Sequence, residues 1–203
     1  LHSISGFSYI IFLDEYTSII NYLTTSTTLI NKRYSVFNKF IKLLTNSKQI
    51  IGTDADINDI SLSFYQSLNR PYNYIINEYK HNSGVQTKEL INLNEFIKTI
   101  KKYNKFMVCC DSKENAEMLK QNLNDDKILL IVGGVDEYYN LDDYDKIIYS
   151  PKIIYGLDSS IRRPIFVYYK EQTITPTSFL QQIARCRDIE ILYYCFCIKK
   201  EFK

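Results

Sequence analysis

The chain has 203 residues, is 45% apolar and 24% charged, and carries a formal net charge of +2, with many Tyr and Phe and no Trp. That length suits one large domain or two compact ones with a real core, and the charge balance neither demands nor excludes nucleic acid, because a basic groove can be local. Five cysteines without a CxxC, and histidines only at His2 and His81, argue against a zinc site or a disulfide framework; no apolar run is long enough to span a bilayer and no cleavable signal appears.

Buried reduced thiols in a cytosol-like compartment are therefore expected. The chain enters an apolar run almost directly after Leu1, which reads as a fragment, or as the second half of something split. Continuous Ile-, Val-, Tyr- and Phe-rich runs then predict strands over 7–14, 49–53, 72–77, 106–110, 127–132, 146–149, 164–169 and 191–198. Runs of this kind suit a parallel sheet covered on both faces. Helices fall between them. Tyr34, Phe37, Phe40, Ile41 and Leu44 share one helical face. "DSKENAEMLKQNL" opens with Asp111 and Ser112 as cap candidates and continues with Ala116, Leu119 and Leu123 facing a core. A further helix, over 175–187, is entered through Pro176. The polar stretch "YKHNSGVQTKELIN" separates two strand–helix series. The expectation is an α/β chain with one lobe over 1–80, a linker over 81–92 and a second lobe over 93–203.

Ligands of open parallel sheets sit beyond the carboxyl ends of the strands, so the polar residues there are the candidates. "SYIIFLDEYTS" ends its apolar run in Asp14 and Glu15. An Asp so placed can hold a nucleotide-bound Mg2+, and the following Glu can orient or deprotonate a water; two solvated acids at a strand end are the plainer alternative. "QIIGTDADIND" repeats the form with Thr53, Asp54 and Asp56, where a helix cap and an Asp-x-Asp phosphotransfer pair both stay open. In "YDKIIYSPKIIYGLD", Ser150 closes a strand, Gly156 allows close backbone approach to a ligand, and Asp158 follows. In "SFLQQIARCRD", Gln181 and Arg185 are i,i+4 on one face, and Arg187 comes next. Guanidiniums there can grip phosphate oxygens with paired hydrogen bonds, or can simply complement a helix C-terminus.

Taken in order, these stretches form a series that resembles the core of superfamily 2 helicases, most closely the origin-binding-protein helicases of herpesviruses and related proteins of large DNA viruses. The resemblance covers about residues 8–198, and its most specific pieces are "DEYTS", "YSPKIIYGLD" and "QQIARCRD". It implies two RecA-like lobes with mainly parallel sheets, the first truncated at its N-terminus. It implies an ATP-dependent helicase of viral DNA replication that uses ATP and Mg2+. DNA, single-stranded or at an origin, would be the partner, in the cytoplasm or nucleus of an infected cell or in a viral replication factory. Asp14 would then coordinate Mg2+ and Glu15 act on the water. Thr53, Asp54 and Asp56 would couple nucleotide state to lobe motion. Asp111, Ser112 and Lys113 would begin the segment that contacts a nucleic-acid backbone. Ser150, Gly156 and Asp158 would link the nucleotide cleft to the DNA groove. Gln181, Arg185 and Arg187 would face the triphosphate.

The departures are specific. The usual superfamily 2 spacing puts the second arginine at the place of Asp188, whereas here it is Arg187, in an Arg-x-Arg similar to that of the viral group, and Ala184 replaces a usual Gly. No GxxxxGK[ST] is present: Gly133 and Gly134 run into Val135 and Asp136. The phosphate cradle is expected on a Walker A segment upstream of Leu1 or on a separate polypeptide, and this chain alone is not expected to hydrolyse ATP. Two readings from other classes stand beside it: a non-catalytic split-gene interaction module that keeps the fold, and an Asp-x-Asp phosphohydrolase.

Overall fold

A computed structural model describes residues 8–55, 57–79, 82–133, 139–151, 157–170 and 174–197. The chain divides into two compact units, Leu1–Asn77 and Glu78–Lys203.

The first unit contains β1 (Ile10–Asp14), α1 (Tyr16–Thr25), α2 (Arg33–Asn46), β2 (Gln49–Thr53) and α3 (Asp59–Ser67). The strands pair in parallel, with Ile10 opposite Gln49 and Asp14 opposite Thr53. Side chains alternate across a strand, so the pairing sorts them into two faces. Leu13, Ile11 and Ile50 point into a core with Tyr16, Ile20, Leu44 and Leu68. The other face carries Ile10, Phe12 and Ile51, all exposed. Arg70 fixes the entry to β2: Nη1 donates to the Leu44 carbonyl at 2.7 Å and to Ser47 Oγ at 3.0 Å, and Nη2 donates to the Lys48 carbonyl at 3.0 Å. These bonds tie the segment after α3 to the end of α2 and the start of β2. The strand expected over 72–77 is not one. That run follows Pro71 without regular structure, and Ile75 and Ile76 are exposed. It is apolar enough, but pairs with no neighbouring strand, and unpaired backbone gains nothing from β geometry.

The second unit contains β3 (Thr87–Glu89), α4 (Leu93–Ile100), β4 (Phe106–Cys110), α5 (Lys113–Leu123), β5 (Leu129–Ile131), β6 (Lys146–Tyr149), β7 (Arg163–Tyr169), α6 (Pro176–Ile183) and β8 (Ile189–Phe196). Its six strands run β3-β8-β7-β4-β6-β5, and every pair is parallel. Period two again sorts the side chains. Val108, Cys110, Ile148, Phe166, Tyr168 and Cys195 lie in one core with Phe96 and Ile100 of α4 and Ala116 and Leu119 of α5. Met107, Cys109, Ile147, Tyr149, Ile165 and Val167 lie in the other, with Phe179 of α6. The stretch expected as a linker is partly sheet: Thr87–Glu89 is edge strand β3, paired to β8. The helix expected to reach 187 stops at Ile183. Beyond it the backbone is drawn into pairing with Ser159, whose N–H donates to the Arg185 carbonyl at 2.7 Å while its carbonyl accepts from the Arg187 N–H at 2.8 Å. No described helix is long and apolar enough to cross a membrane.

Candidate functional site

At the carboxyl end of the first sheet, register puts Asp14 beside Thr53, and Thr53 Oγ1 donates to Asp14 Oδ1 at 3.0 Å. The chain then turns into α1 through a single residue, Glu15, in the left-handed region at φ 53. A side chain other than Gly or Asn held there costs about 1–3 kcal/mol, and such strain collects at functional sites. Glu15 does not cap α1 with its side chain. Asp54 serves that end instead: its Oδ2 accepts from the Thr17 N–H at 2.6 Å, placing a carboxylate against the positive end of the helix. Thr17 Oγ1 and Ser61 Oγ are 2.9 Å apart, which ties α1 to α3. Asn58 caps α3 in a reciprocal box with Ser61. Tyr16 is buried beneath Gly52, and burial pushes its hydroxyl well above the ordinary tyrosine range. Asp14, Thr53 and Asp54 thus form one cluster across two strand ends and a helix N-terminus. Asp56 lies outside the described residues.

Asp14 is exposed, and beside it stands a hydroxyl. Hard oxygen donors of this kind suit Mg2+, which takes one or two carboxylates and completes its shell with water and phosphate oxygens. Among the described residues no group of three or more His, Cys, Asp or Glu side chains forms a closed metal cage.

In the second unit, Arg187 Nε and Nη2 both reach Asp158 Oδ2, at 2.9 and 2.8 Å. Arg185 Nε donates to the Gln181 carbonyl at 3.2 Å, and both residues are half-buried. Gln181, Asp158, Arg185 and Arg187 are thus brought to one place, the loop after α6 and the Ser159 segment paired to it. Asp142 secures that segment. Its carboxylate accepts from Ser159 Oγ at 2.6 Å, from Ser160 Oγ at 2.6 Å and from the Ser160 N–H, and these bonds hold its pKa below the usual carboxylate range.

The remaining residues behave differently. Asp111 is fully buried at the end of β4; its Oδ1 accepts from Asn115 Nδ2 at 2.8 Å and its Oδ2 from the Lys170 N–H at 2.8 Å. It locks α5 and the end of β7 to β4 rather than offering a surface to nucleic acid. Ser112 is the N-cap of α5, accepting from the Asn115 N–H at 3.2 Å, and is buried. Ser150 is buried too, its N–H donating to the Ile131 carbonyl. Lys113 is exposed and pairs with Glu117 at 3.7 Å. Gly156 lies outside the described residues.

No protein-family model matches the sequence, and no curated protein matches it. Solved structures do. S. cerevisiae Dbp5, a DEAD-box helicase, bound to RNA and ADP BeF3, is similar over 95% of this chain with a TM-score of 0.56 at 14% identity. The L327V form of Dbp5, also bound to RNA and ADP BeF3, gives 0.57 at 13% identity over the same share. The chain has the RecA-like α/β fold of these neighbours. It spans 54% of the length of each of those neighbours.

Within this RecA-like frame some residues carry more than their sequence announces. Thr17 and Asp142 hold the two clusters in place, yet each stands in an ordinary polar stretch. Gln182, not Gln181, is the fully buried glutamine; it donates through Nε2 to the Cys110 carbonyl at 3.4 Å, and its backbone carbonyl accepts from Tyr149 Oη at 2.8 Å. Arg163 is also fully buried, with Nη1 donating to the Tyr144 carbonyl at 2.8 Å, and burial lowers its pKa. Nothing local in "IRRPI" distinguishes it from the exposed Arg162 beside it. The five cysteines are free thiols. Burial pushes Cys109 and Cys195 up to about 12 and Cys186 up to about 11.

Proposed function

We propose that this chain is part of an ATP-dependent helicase of superfamily 2, comprising the Mg2+-binding end of one RecA-like lobe and the arginine-bearing second lobe. The observation that carries the reading is the contact between Asp14 and Thr53 at the carboxyl ends of adjacent parallel strands, with Asp54 on the α1 N-terminus. A carboxylate at a strand end is ordinary. A carboxylate wired to the polar residue that ends the next strand, and through Asp54 to a helix, is a device for passing a change at the nucleotide into the lobe.

Bound Mg2+–ATP would supply an electrophilic phosphorus whose charge is partly neutralised. Asp14 would hold the ion and Glu15 orient the attacking water. Arg185 and Arg187 would stabilise charge on the transferring phosphoryl group, a role worth on the order of 10³–10⁵ in rate. Arg187 must first leave Asp158. That pair is exposed, and such pairs contribute about 0.2–1 kcal/mol, so the exchange is easily made. The order of "DEYTS", "YSPKIIYGLD" and "QQIARCRD" supports the finer reading: a replication helicase of the origin-binding type in a large DNA virus, acting on DNA where the virus replicates in its host cell. Grip on single strands would come mostly from phosphate contacts and so weaken steeply with salt.

The test joins the chain to the segment that carries its phosphate cradle and measures ATP turnover and ATP binding separately. Arg185→Ala and Arg187→Ala should suppress turnover by about 10³ or more while binding changes only a few-fold. Equal loss of binding and turnover removes the finger role. Turnover by the 203-residue chain alone, abolished by Asp14→Ala, removes the need for a cradle from elsewhere.

A further inference from the structure

The five cysteines are not equivalent, and the end of β8 sets two of them apart. Residues two apart on a strand point to the same side. Cys195 and Cys197 therefore stand together on the face that carries the α4–α5 core, with Phe196 between them on the other, against Phe179. The two Sγ atoms are 3.8 Å apart. Cys197 lies one residue past β8, yet its N–H still donates to the Tyr169 carbonyl at 3.0 Å, so the pairing continues there. Cys195 is sealed in the core, whereas Cys197 is half-buried and reaches solvent. The other thiols are placed differently. Cys109 and Cys110 are adjacent in sequence but point into opposite cores, and Cys186 donates to the Asp188 carbonyl at 3.4 Å.

We propose that Cys195 and Cys197 form a peroxide-sensitive modification site, in which Cys197 is the attacking sulfur and Cys195 the resolving one, closing to a reversible disulfide across the end of β8. The site stands on this geometry and does not depend on the helicase reading. The Cys197 thiolate attacks one oxygen of hydrogen peroxide; the O–O bond breaks, hydroxide leaves and is protonated to water, and Cys197 becomes a sulfenic acid. Cys195 Sγ then attacks Cys197 Sγ, the S–O bond breaks, and the departing hydroxide takes the Cys195 proton as a second water. Two thiols have given up two electrons and two protons, and one peroxide has become two waters. The sulfurs must close from 3.8 Å to about 2.05 Å. Two strand rises put the Cα atoms about 6.6 Å apart, near the long end of what a disulfide spans, so the bond forms under strain and is readily reduced. In the reduced chain Cys197 Sγ donates to Tyr168 Oη at 3.6 Å. Closure draws Cys197 toward Cys195, away from that hydroxyl and from the Tyr169 carbonyl.

The experiment treats the purified 203-residue chain with hydrogen peroxide, quenches it in acid, alkylates it under denaturing conditions and counts thiols by mass spectrometry. Two of the five thiols should escape alkylation, in a fragment spanning 195–197 that is lighter by two hydrogens, and glutathione should restore all five. Amide exchange at Cys197 should be about tenfold faster in the oxidised chain. Cys197→Ser should abolish the bond, and it leaves the buried core untouched. Cys195→Ala should stop the reaction at the Cys197 sulfenic acid, which dimedone traps. Retention of all five thiols, a disulfide between other cysteines, a covalent dimer, a sulfenic acid that persists at Cys197 in the unsubstituted chain, unchanged amide exchange there, or a bond that glutathione leaves closed each overturns the proposal.

Discussion

Both units are built from parallel strands and helical crossovers, yet they finish differently. In the second, β4 is buried at all five positions, between α4 and α5 on one side and α6 on the other. In the first, β1 alternates between Leu13 in the core and Phe12 in solvent. The same kind of run, Ile-Ile-Phe-Leu against Phe-Met-Val-Cys-Cys, is thus completed in one unit and half-used in the other. An apolar run states that two faces can be covered. Whether they are depends on how many layers the chain brings to the sheet.

Several measurements would break or sharpen that contrast. The largest effect is expected from Phe96→Ala, which opens a cavity in the second unit and should cost about 3–5 kcal/mol, against less than about 0.5 kcal/mol for Phe12→Ala on the bare face, both read by denaturant unfolding. Equal costs would mean that the first unit's outer face is covered after all. Next, Asp142→Asn removes the charged acceptor of Ser159 and Ser160 and should destabilise the second unit by about 1.5–3 kcal/mol at neutral pH. Because the folded-state pKa of Asp142 is depressed, this stabilisation is complete above its unfolded value, near 3.9, and fades as pH falls through the folded one. Wild type and variant should therefore converge in acid; a gap that persists would show that the carboxylate charge is not what matters. Asp54→Ala should cost about 1 kcal/mol, the usual loss of a helix cap, and only in the first unit. The smallest effect is chemical. Maleimide at neutral pH should reach Cys197, which is half-buried, before the four buried thiols, and all five after denaturation, as mass spectrometry would count. Fast native labelling of Cys109 or Cys110 would mean that the second core is looser than its packing.

Much of this was legible in the chain. Strong apolar runs such as Phe-Met-Val-Cys-Cys became strands because each has a neighbour to pair with. The sequence offered Asp14, Thr53, Asp158 and Arg187 as separate strand-end and helix-end candidates; the contacts of Asp14 with Thr53 and of Asp158 with Arg187 came only from the structure. The run after Pro71 misled because apolar content resembles a strand whether or not a partner strand exists. Strand β3, Thr-Lys-Glu, gave no hydrophobic signal at all: it is an edge of three exposed residues held by backbone bonds to β8. Helix α6 stopped early because Ser159, far away in sequence, competes for the backbone of Arg185 and Arg187. Asp111 looked like a surface cap and is instead an internal clamp.

Periodicity, caps and strand-end residues are local properties, and from them the sequence by itself determined the α/β class, the parallel sheets and the order in which carboxylates and arginines follow one another. Only the tertiary structure decided which of two adjacent residues is buried, Arg163 rather than Arg162 or Gln182 rather than Gln181, and which sheet face is left bare. Those outcomes depend on what another part of the chain places nearby, because burial and hydrogen-bond partnership are properties of pairs distant in sequence, and no single stretch of residues encodes its partner.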